Sequence, residues 1–355
     1  MVIDNFNSIH KDKNILVTGH TGFKGSWLTM WLHKLNANVT GLSLNPEGEF
    51  SHWKDIKLKN INSHIGDIRD FKTVKDILLK TDPEIIFHLA AQPLVNRSYE
   101  FPIETWQTNV IGTINLLEAS RQLQNLKSII IITSDKCYEN LETNIPFKET
   151  DRIGGFDPYS SSKAAVEILV KSYQKSFFDN KGPSIATARA GNVIGGGDWS
   201  DDRLIPDLIR SLMNRREILI RYPKATRPWQ HVLDCLYGYL KLSEMMLNKK
   251  RYYGAFNFGP DFSSNKSVED ILIRMKNYWP NISWKTQKNT MNYESELLSL
   301  NSDKARTELN WKPILNLNNS IKLTIEWYKE FNKNNIISFK QLSEYTHLLS
   351  EKNEN

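Results

Sequence analysis

The sequence predicts an α/β protein, a doubly wound parallel sheet joined to a smaller C-terminal lobe, and three observations carry that reading. Short apolar runs at residues 15–18, 39–44, 85–90 and 129–133 alternate with stretches of helical pattern, the rhythm of strand–helix–strand units that build a parallel sheet. The first run leads into three glycines and then an apolar-periodic segment, within NILVTGHTGFKGSWLTMW at residues 14–31. After about Gly195 the rhythm breaks into a glycine-rich loop, a basic loop, short strands, and helices near 268–279 and 320–331. The second lobe belongs there, with the chain returning to the sheet between Arg227 and Phe258.

The first unit prepares to hold a dinucleotide diphosphate. Gly19, Gly22 and Gly25 permit a tight turn, close approach of backbone to pyrophosphate, and close packing of helix on strand, while the helix N-terminus offers N–H groups and partial positive charge. Taken alone, the GxxGxxG spacing serves an ordinary turn equally well.

Tyr159 and Lys163 stand four apart in DPYSSSKAAVEILVKSY, a segment that reads as a helix beginning just after Pro158, so both side chains lie on one face. A free phenol has a pKa near ~10. A neighbouring ammonium together with a cationic nicotinamide ring favours the phenolate and lowers that value, so the tyrosine could take a proton from an alcohol while the ring takes hydride. The bland alternative is a surface pair. Its position after a glycine-rich βα unit favours the chemical reading.

With both pieces in this order, the chain resembles the extended short-chain dehydrogenase/reductase family over nearly its whole length. Five blocks, TGHTGFKGSW (18–27), HLAAQPLVNRSY (88–99), TSDKCYEN (133–140), RAGNVIGGGDW (189–199) and RPWQHVLD (227–234), look like those of the CDP-glucose 4,6-dehydratases of bacterial dideoxysugar synthesis. The resemblance implies a Rossmann-like domain over 1–194, its sheet completed by parts of 227–260. It further implies a mostly substrate-binding lobe over 195–335 and a tail over 336–355 carrying one last helix before fraying. It implies NAD as cofactor, the nucleotide sugar CDP-glucose as substrate, a homodimer or homotetramer, and a place in O-antigen-type lipopolysaccharide synthesis.

The implied chemistry is an internal redox cycle: hydride leaves C4 of the glucose ring, water is lost across C5 and C6, and the hydride returns to C6. Tyr159 takes the C4 hydroxyl proton. Ser134, Asp135 and Lys136 occupy the places of Thr, Asp and Glu in dTDP-glucose dehydratases. Asp135 is the expected acid for the C6 hydroxyl, which requires a raised pKa. Lys136 is either a C5 base with lowered pKa or a charged anchor for the enolate or cofactor. Cys137 reads as a packed thiol.

Carried over from the matching blocks, the cofactor contacts are Gly19, Thr21, Gly22, Phe23, Lys24, Gly25, Asp67, Ile68, Ala90, Gln92, Asn109, Thr133, Tyr159 and Lys163. Asp67, in GDIRD, meets the adenine edge or else caps a turn. NAD is preferred to NADP because Leu42, Ser43, Leu44 and Asn45 offer neither the usual ribose-binding carboxylate nor a cation for a 2′-phosphate. Asn192, Arg203 and Arg227 are the substrate contacts, the arginines meeting the phosphates. Trp199 and Trp229 either wall the pocket or belong to the core, and His231 is a proton carrier or a structural histidine.

One departure stands near the C-terminus. Where the family shows a pattern like HEAxxLxLD, this chain has Tyr293, Glu294 and Ser295, then Leu300 and Asn301, before DKARTELNWKP at 303–313 resumes the resemblance. An epimerase or decarboxylase of the same fold would share Tyr159 and Lys163 but has no use for Asp135 and Lys136. A non-catalytic NAD-binding sensor or scaffold needs none of this set.

Composition agrees. A chain of 355 residues, 40% hydrophobic, suffices for one large α/β domain with a smaller lobe. Cys137 and Cys235 form no disulfide framework and show no metal-ligand spacing, so no metal and a reducing cytoplasm are expected. The opening MVIDNFNSIHKDKN lacks a signal-peptide core, and no apolar run nears the ~20 residues of a membrane helix. The net charge of +6 comes from dispersed lysines, so neither nucleic acid nor membrane is expected as a partner. The aromatic and basic residues of 221–229 suit a nucleotide-sugar diphosphate better than single-strand stacking.

Overall fold

The computed structural model describes residues 1–179, 182–249, 252–286 and 295–354. Six strands open the chain: β1 (Asn14–Thr18), β2 (Asn38–Ser43), β3 (Asn62–Ile65), β4 (Ile85–His88), β5 (Ser128–Ile132) and β6 (Ser184–Ala190). Short β7 (Val193–Ile194), β8 (Ile218–Ile220), β9 (Thr226–Pro228) and β10 (Gln230–His231) follow, then β11 (Tyr253–Phe258), β12 (Asn265–Ser267) and β13 (Trp284–Thr286). Seven of them form one sheet in the order β11-β6-β5-β4-β1-β2-β3, every neighbouring pair parallel. β4 and β5 are buried along their whole length, as sheets covered by helices on both faces require.

The strand order reverses at β1, whose Thr18 lies beside Leu42 on one side and His88 on the other. A crevice opens outside the carboxyl ends at such a point. Here Gly19 has φ +74°, and a Cβ on it would stand 2.8 Å from the Ala90 amide nitrogen; only glycine fits.

The four expected strands are present within a residue or two, and the return to the sheet is β11. Two strands escaped the apolar-run criterion. β3 reads NSHI and lies at the sheet edge with its residues largely solvated. β6 reads SIATARA and is buried throughout, but its small and hydroxylated residues make no apolar run.

The second lobe packs the Leu204–Met213, Val268–Lys276, Asp303–Leu309 and Leu317–Phe331 helices with the pairs β8/β13 and β9/β12. β7 pairs with β10 beside the crevice. One apolar cluster runs from Val17 and Trp31 through Ile194, Trp229 and Val232 to Trp311 and Trp327, so sheet and lobe share a core. The last helix, Ser338–Glu354, buries Leu342, Tyr345 and Leu349, sets Tyr345 edge-on to Trp31, and holds the N-terminal segment through Ile3 and Asn5. Tyr293 and Glu294 lie outside the described residues. Asn301 makes paired bonds with Asp303, its Oδ1 accepting the amide at 2.9 Å, so that departure starts a helix. Among the described residues no helix is long and apolar enough to cross a membrane, and no cluster of His, Cys, Asp and Glu could hold a metal ion.

Candidate active site

Between the carboxyl edge of the sheet and the second lobe lies a cavity of about 390 Å³. Lys24, Ser134, Asp135, Lys136, Tyr159 and Lys163 line its sheet side; Asn192, Asp198, Arg203, Arg227 and Trp229 face them. The structure thus brings together every residue expected to act chemically.

Beyond β5 the chain turns on Ser134, whose Oγ accepts the Lys136 amide at 3.2 Å and caps the short Asp135–Cys137 turn. The turn delivers Asp135 into the cavity wall, 2% exposed. Ser134 donates to Asp135 Oδ1 at 3.0 Å. The other carboxyl oxygen, Oδ2, is buried with no partner among the described residues. Burial raises the Asp135 pKa, with Lys136 and Arg227 pulling against it; this is the direction a proton donor requires.

Asp157 caps the Pro158–Tyr173 helix by accepting the Ser160 amide at 2.9 Å, which sets Tyr159 in its first turn and Lys163 one turn later. Lys163 Nζ donates to the Ile132 carbonyl at 3.2 Å. Burial, then the Lys24 charge, lowers its pKa to about 7, against Glu167 and Cys137. In the protein alone burial pushes the Tyr159 phenol up to about 12, with Arg203 working against it and Asp135 adding to it.

At the glycine turn the Phe23–Lys34 helix starts from Gly22. A Cβ on Gly25 would stand 1.9 Å from the Gly19 carbonyl oxygen, whereas one on Gly22 meets only that oxygen, at 3.4 Å. Gly25 is therefore packing, and Gly22 leaves the helix N-terminus open to an anion. Thr21 bonds the end of β2, its Oγ1 2.7 Å from Ser43 Oγ and 3.0 Å from the Leu44 carbonyl. Phe23 and Lys24 line the cavity, and Lys24 Nζ is 3.4 Å from the Tyr239 hydroxyl. The closed turn, the open amides and the Tyr159–Lys163 pair fit a nicotinamide dinucleotide.

Other expected cofactor residues are tied up within the protein. Asp67 accepts the Arg69 amide at 2.8 Å and the Arg69 guanidinium at 2.6 Å. Buried Ile68 fills the space a Cβ on Gly112 would need. Gln92 and Asn109 clamp each other: the Gln92 amide donates to Asn109 Oδ1 at 2.8 Å, and Asn109 Nδ2 donates to the Gln92 carbonyl at 3.1 Å and to Ser162 Oγ at 2.8 Å. The Ala90 amide donates to Thr18, and Thr133 Oγ1 donates to Glu167 at 2.5 Å.

On the facing wall Arg203 pairs with Asp198 at 3.1 Å, and Arg227 Nη1 donates to the Thr226 carbonyl at 2.9 Å. The Asn192 carbonyl accepts the Gln230 amide at 3.0 Å. Of the two tryptophans, Trp229 walls the cavity, while Trp199 sits in an aromatic cluster with Phe50, Tyr328 and Phe331. His231 is fully buried, caps the Val232–Asn248 helix through the Leu233 amide at 3.3 Å, and is kept neutral by burial, its pKa lowered to about 3. Burial likewise raises Cys137, leaving a packed thiol. Asp198 and Glu167 were missed, although Asp198 stands in a quoted block and Glu167 falls one helical turn beyond Lys163.

A doubly wound parallel sheet whose glycine turn and Tyr159–Lys163 pair meet at one crevice defines an extended short-chain dehydrogenase/reductase. More narrowly, the chain belongs to the GDP-mannose 4,6 dehydratase family, whose sequence model matches residues 16–324. It is 42% identical over 344 residues to the CDP-glucose 4,6-dehydratase of Salmonella typhimurium, covering 94% of this chain and 96% of that one. It is 30% identical to the dTDP-D-glucose 4,6-dehydratase of Dictyostelium discoideum, covering 74% of this chain and 62% of that one. The fold also matches an epimerase of Methanothermobacter thermautotrophicus (TM-score 0.81, 24% identity, covering 92% and 95%). A dTDP-glucose 4,6-dehydratase of Bacillus anthracis in complex with NAD matches it too (TM-score 0.75, 22% identity, covering 92% and 99%).

Proposed function

We propose that this protein is an NAD-dependent nucleotide-sugar 4,6-dehydratase that converts CDP-glucose to CDP-4-dehydro-6-deoxyglucose and water. The observation that carries the reading is Asp135: a buried carboxyl with one oxygen unpartnered among the described residues, in the same cavity as Tyr159 and Lys163. A 4-epimerase has no leaving hydroxyl to protonate. Near full-length similarity to a CDP-glucose 4,6-dehydratase supports the nucleotide.

Gly19, Thr21, Gly22, Phe23, Lys24, Gly25, Asp67, Ile68, Ala90, Gln92, Asn109 and Thr133 form the cofactor cradle, several by shaping loops, with Tyr159 and Lys163 at the nicotinamide end. When bound, NAD supplies a hydride acceptor that returns what it takes. Tyr159 accepts the C4 hydroxyl proton, assisted by the Lys163 charge. Asp135 donates its proton to the departing C6 hydroxyl. Lys136 takes the C5 proton or steadies the enolate by charge. Arg203 and Arg227 bind the sugar diphosphate, with Asn192 beside it.

The test is incubation with CDP-, dTDP-, UDP- and GDP-hexoses. The expected outcome is loss of water from CDP-glucose with no net consumption of added NAD, and deuterium at C5 in deuterated water. Accumulation of reduced cofactor with an oxidised, still hydroxylated sugar would replace the reading with a plain dehydrogenase. We further place the enzyme in the cytoplasm, in dideoxysugar and O-antigen supply, as a homodimer or homotetramer. Exposed Ile103, Ile111, Ile168 and Phe177 lie on two neighbouring helices, an apolar face of the kind a second copy covers.

A further inference from the structure

Glu167 is absent from every role assigned above, yet it is among the most elaborately bonded charges in the protein. It lies one turn after Lys163 on the Pro158–Tyr173 helix, with its side chain 5% exposed. Its carboxylate accepts from Thr133 at 2.5 Å, Thr187 at 2.8 Å and the Arg189 guanidinium at 2.7 Å. Arg189 in turn donates to the Tyr138 hydroxyl at 2.8 Å. The helix therefore grips the end of β5 at two successive residues: Lys163 bonds the Ile132 carbonyl and Glu167 bonds the Thr133 hydroxyl. The next two residues are Ser134 and Asp135.

We infer that Glu167 is a positioning residue of the dehydratase reaction, locking the strand end that delivers Asp135 to the helix that carries Tyr159 and Lys163, with its carboxylate one helical turn from the Lys163 ammonium. The inference rests on the dehydratase reading above. The groups facing Lys163 are Lys24 from the Phe23–Lys34 helix, Cys137 from the turn after β5, His88 from the end of β4, and Glu167 and Tyr159 from its own helix. Lys24 works against the Lys163 charge, and Glu167 is the carboxylate that supports it. A buried ammonium without such a partner loses its proton more readily.

Removing Glu167 alone would strand the buried Arg189 charge, so the test uses Glu167→Gln/Arg189→Met, which removes both charges together. Thermal melting establishes folding, and the pH profile of CDP-glucose turnover is compared with the wild type. NAD binding, read from tryptophan fluorescence at neutral and alkaline pH, gives a signal independent of turnover. The alkaline limb should begin about one pH unit lower, and NAD binding should weaken more at alkaline pH than in the wild type. A folded double variant with an unshifted limb and a wild-type pH dependence of NAD binding would overturn the inference. Should the double variant fail to fold, Glu167→Asp keeps the Arg189 pair and retracts the carboxylate; a smaller shift in the same direction is expected, and no shift overturns the proposal. A wild type inactive on every nucleotide sugar would instead sink the dehydratase reading, and the binding arm would still judge Glu167.

Discussion

The Ser134 hydroxyl donates to Asp135 Oδ1 at 3.0 Å while Asp135 Oδ2 stays buried without a partner among the described residues, so the two oxygens of one carboxyl group are held differently. The fixed oxygen orients the group, and burial raises the pKa of the carboxyl, the direction that helps it keep a proton. Asp135→Asn keeps the shape and removes the acid. Turnover should fall by roughly 10²–10⁴-fold. The first half-reaction should survive, so absorbance of reduced cofactor near ~340 nm should build up on the enzyme. A variant that turns over normally, or that never accumulates this signal, would assign the C6 proton to another group.

Tyr159→Phe separates chemistry from architecture. The ring, 8% exposed, remains, so melting temperature and NAD binding should match the wild type, while turnover drops by roughly 10²–10⁴-fold. Because burial alone pushes the phenol to about 12, ionisation at neutral pH has to come from bound cationic cofactor together with Lys163. A phenolate difference spectrum at alkaline pH should therefore appear at lower pH with NAD⁺ present than without it, and should be missing in the variant.

Much of this site could be read from spacing, and what could not be read depended on neighbours distant in sequence. Gly19, Tyr159 and Lys163 announce themselves because a turn and a helix face are local geometry. The direction of the Tyr159 pKa is not local: it depends on how deeply the residue is buried, which the Tyr–Lys spacing does not encode. Asp67 illustrates the same limit, since its spacing suits an adenine contact or a cap, and Arg69 takes both its oxygens. Among the strands, β6 was invisible as an apolar run because Thr187 and Arg189, which bond Glu167 on one face, alternate with Ala186, Ala188 and Ala190, which pack with Val232 and Leu236 on the other.

Asp234 gives a pH test of the fold. It is fully buried and accepts the Ile314 amide at 2.8 Å, the Leu315 amide at 3.2 Å and the Tyr345 hydroxyl at 2.8 Å, tying the last helix to the body. Burial outweighs those donors and raises its pKa from 3.8 to about 7. The folded value exceeds the unfolded one, so the native state favours the protonated form. That contribution is complete below the unfolded pKa and fades as pH rises through the folded one, by on the order of 1–4 kcal/mol. Wild-type melting temperature should thus decline from about pH 4 to about pH 7, and Asp234→Asn should flatten the slope. Parallel curves for the two proteins would show that Asp234 does not titrate in this range.

The glycine turn yields the sharpest contrast, because neighbouring glycines differ in what a methyl group would meet. At Gly25 an added Cβ would lie 1.9 Å from the Gly19 carbonyl oxygen, a clash with backbone that nothing flexible relieves; at Gly22 it meets only that oxygen, at 3.4 Å. Gly25→Ala should therefore lower the melting temperature by more than about 5 °C, since the helix has to move off the turn. Gly22→Ala should leave melting nearly unchanged. Its methyl group would instead occupy the side from which a pyrophosphate approaches the helix N-terminus, weakening NAD binding by about tenfold or more, roughly 1.4 kcal/mol. Fluorescence titration with NAD and thermal melting, run on both variants, read the two effects separately. Equal loss of stability in both would show that Gly22 serves packing as Gly25 does, and would move the pyrophosphate away from this turn.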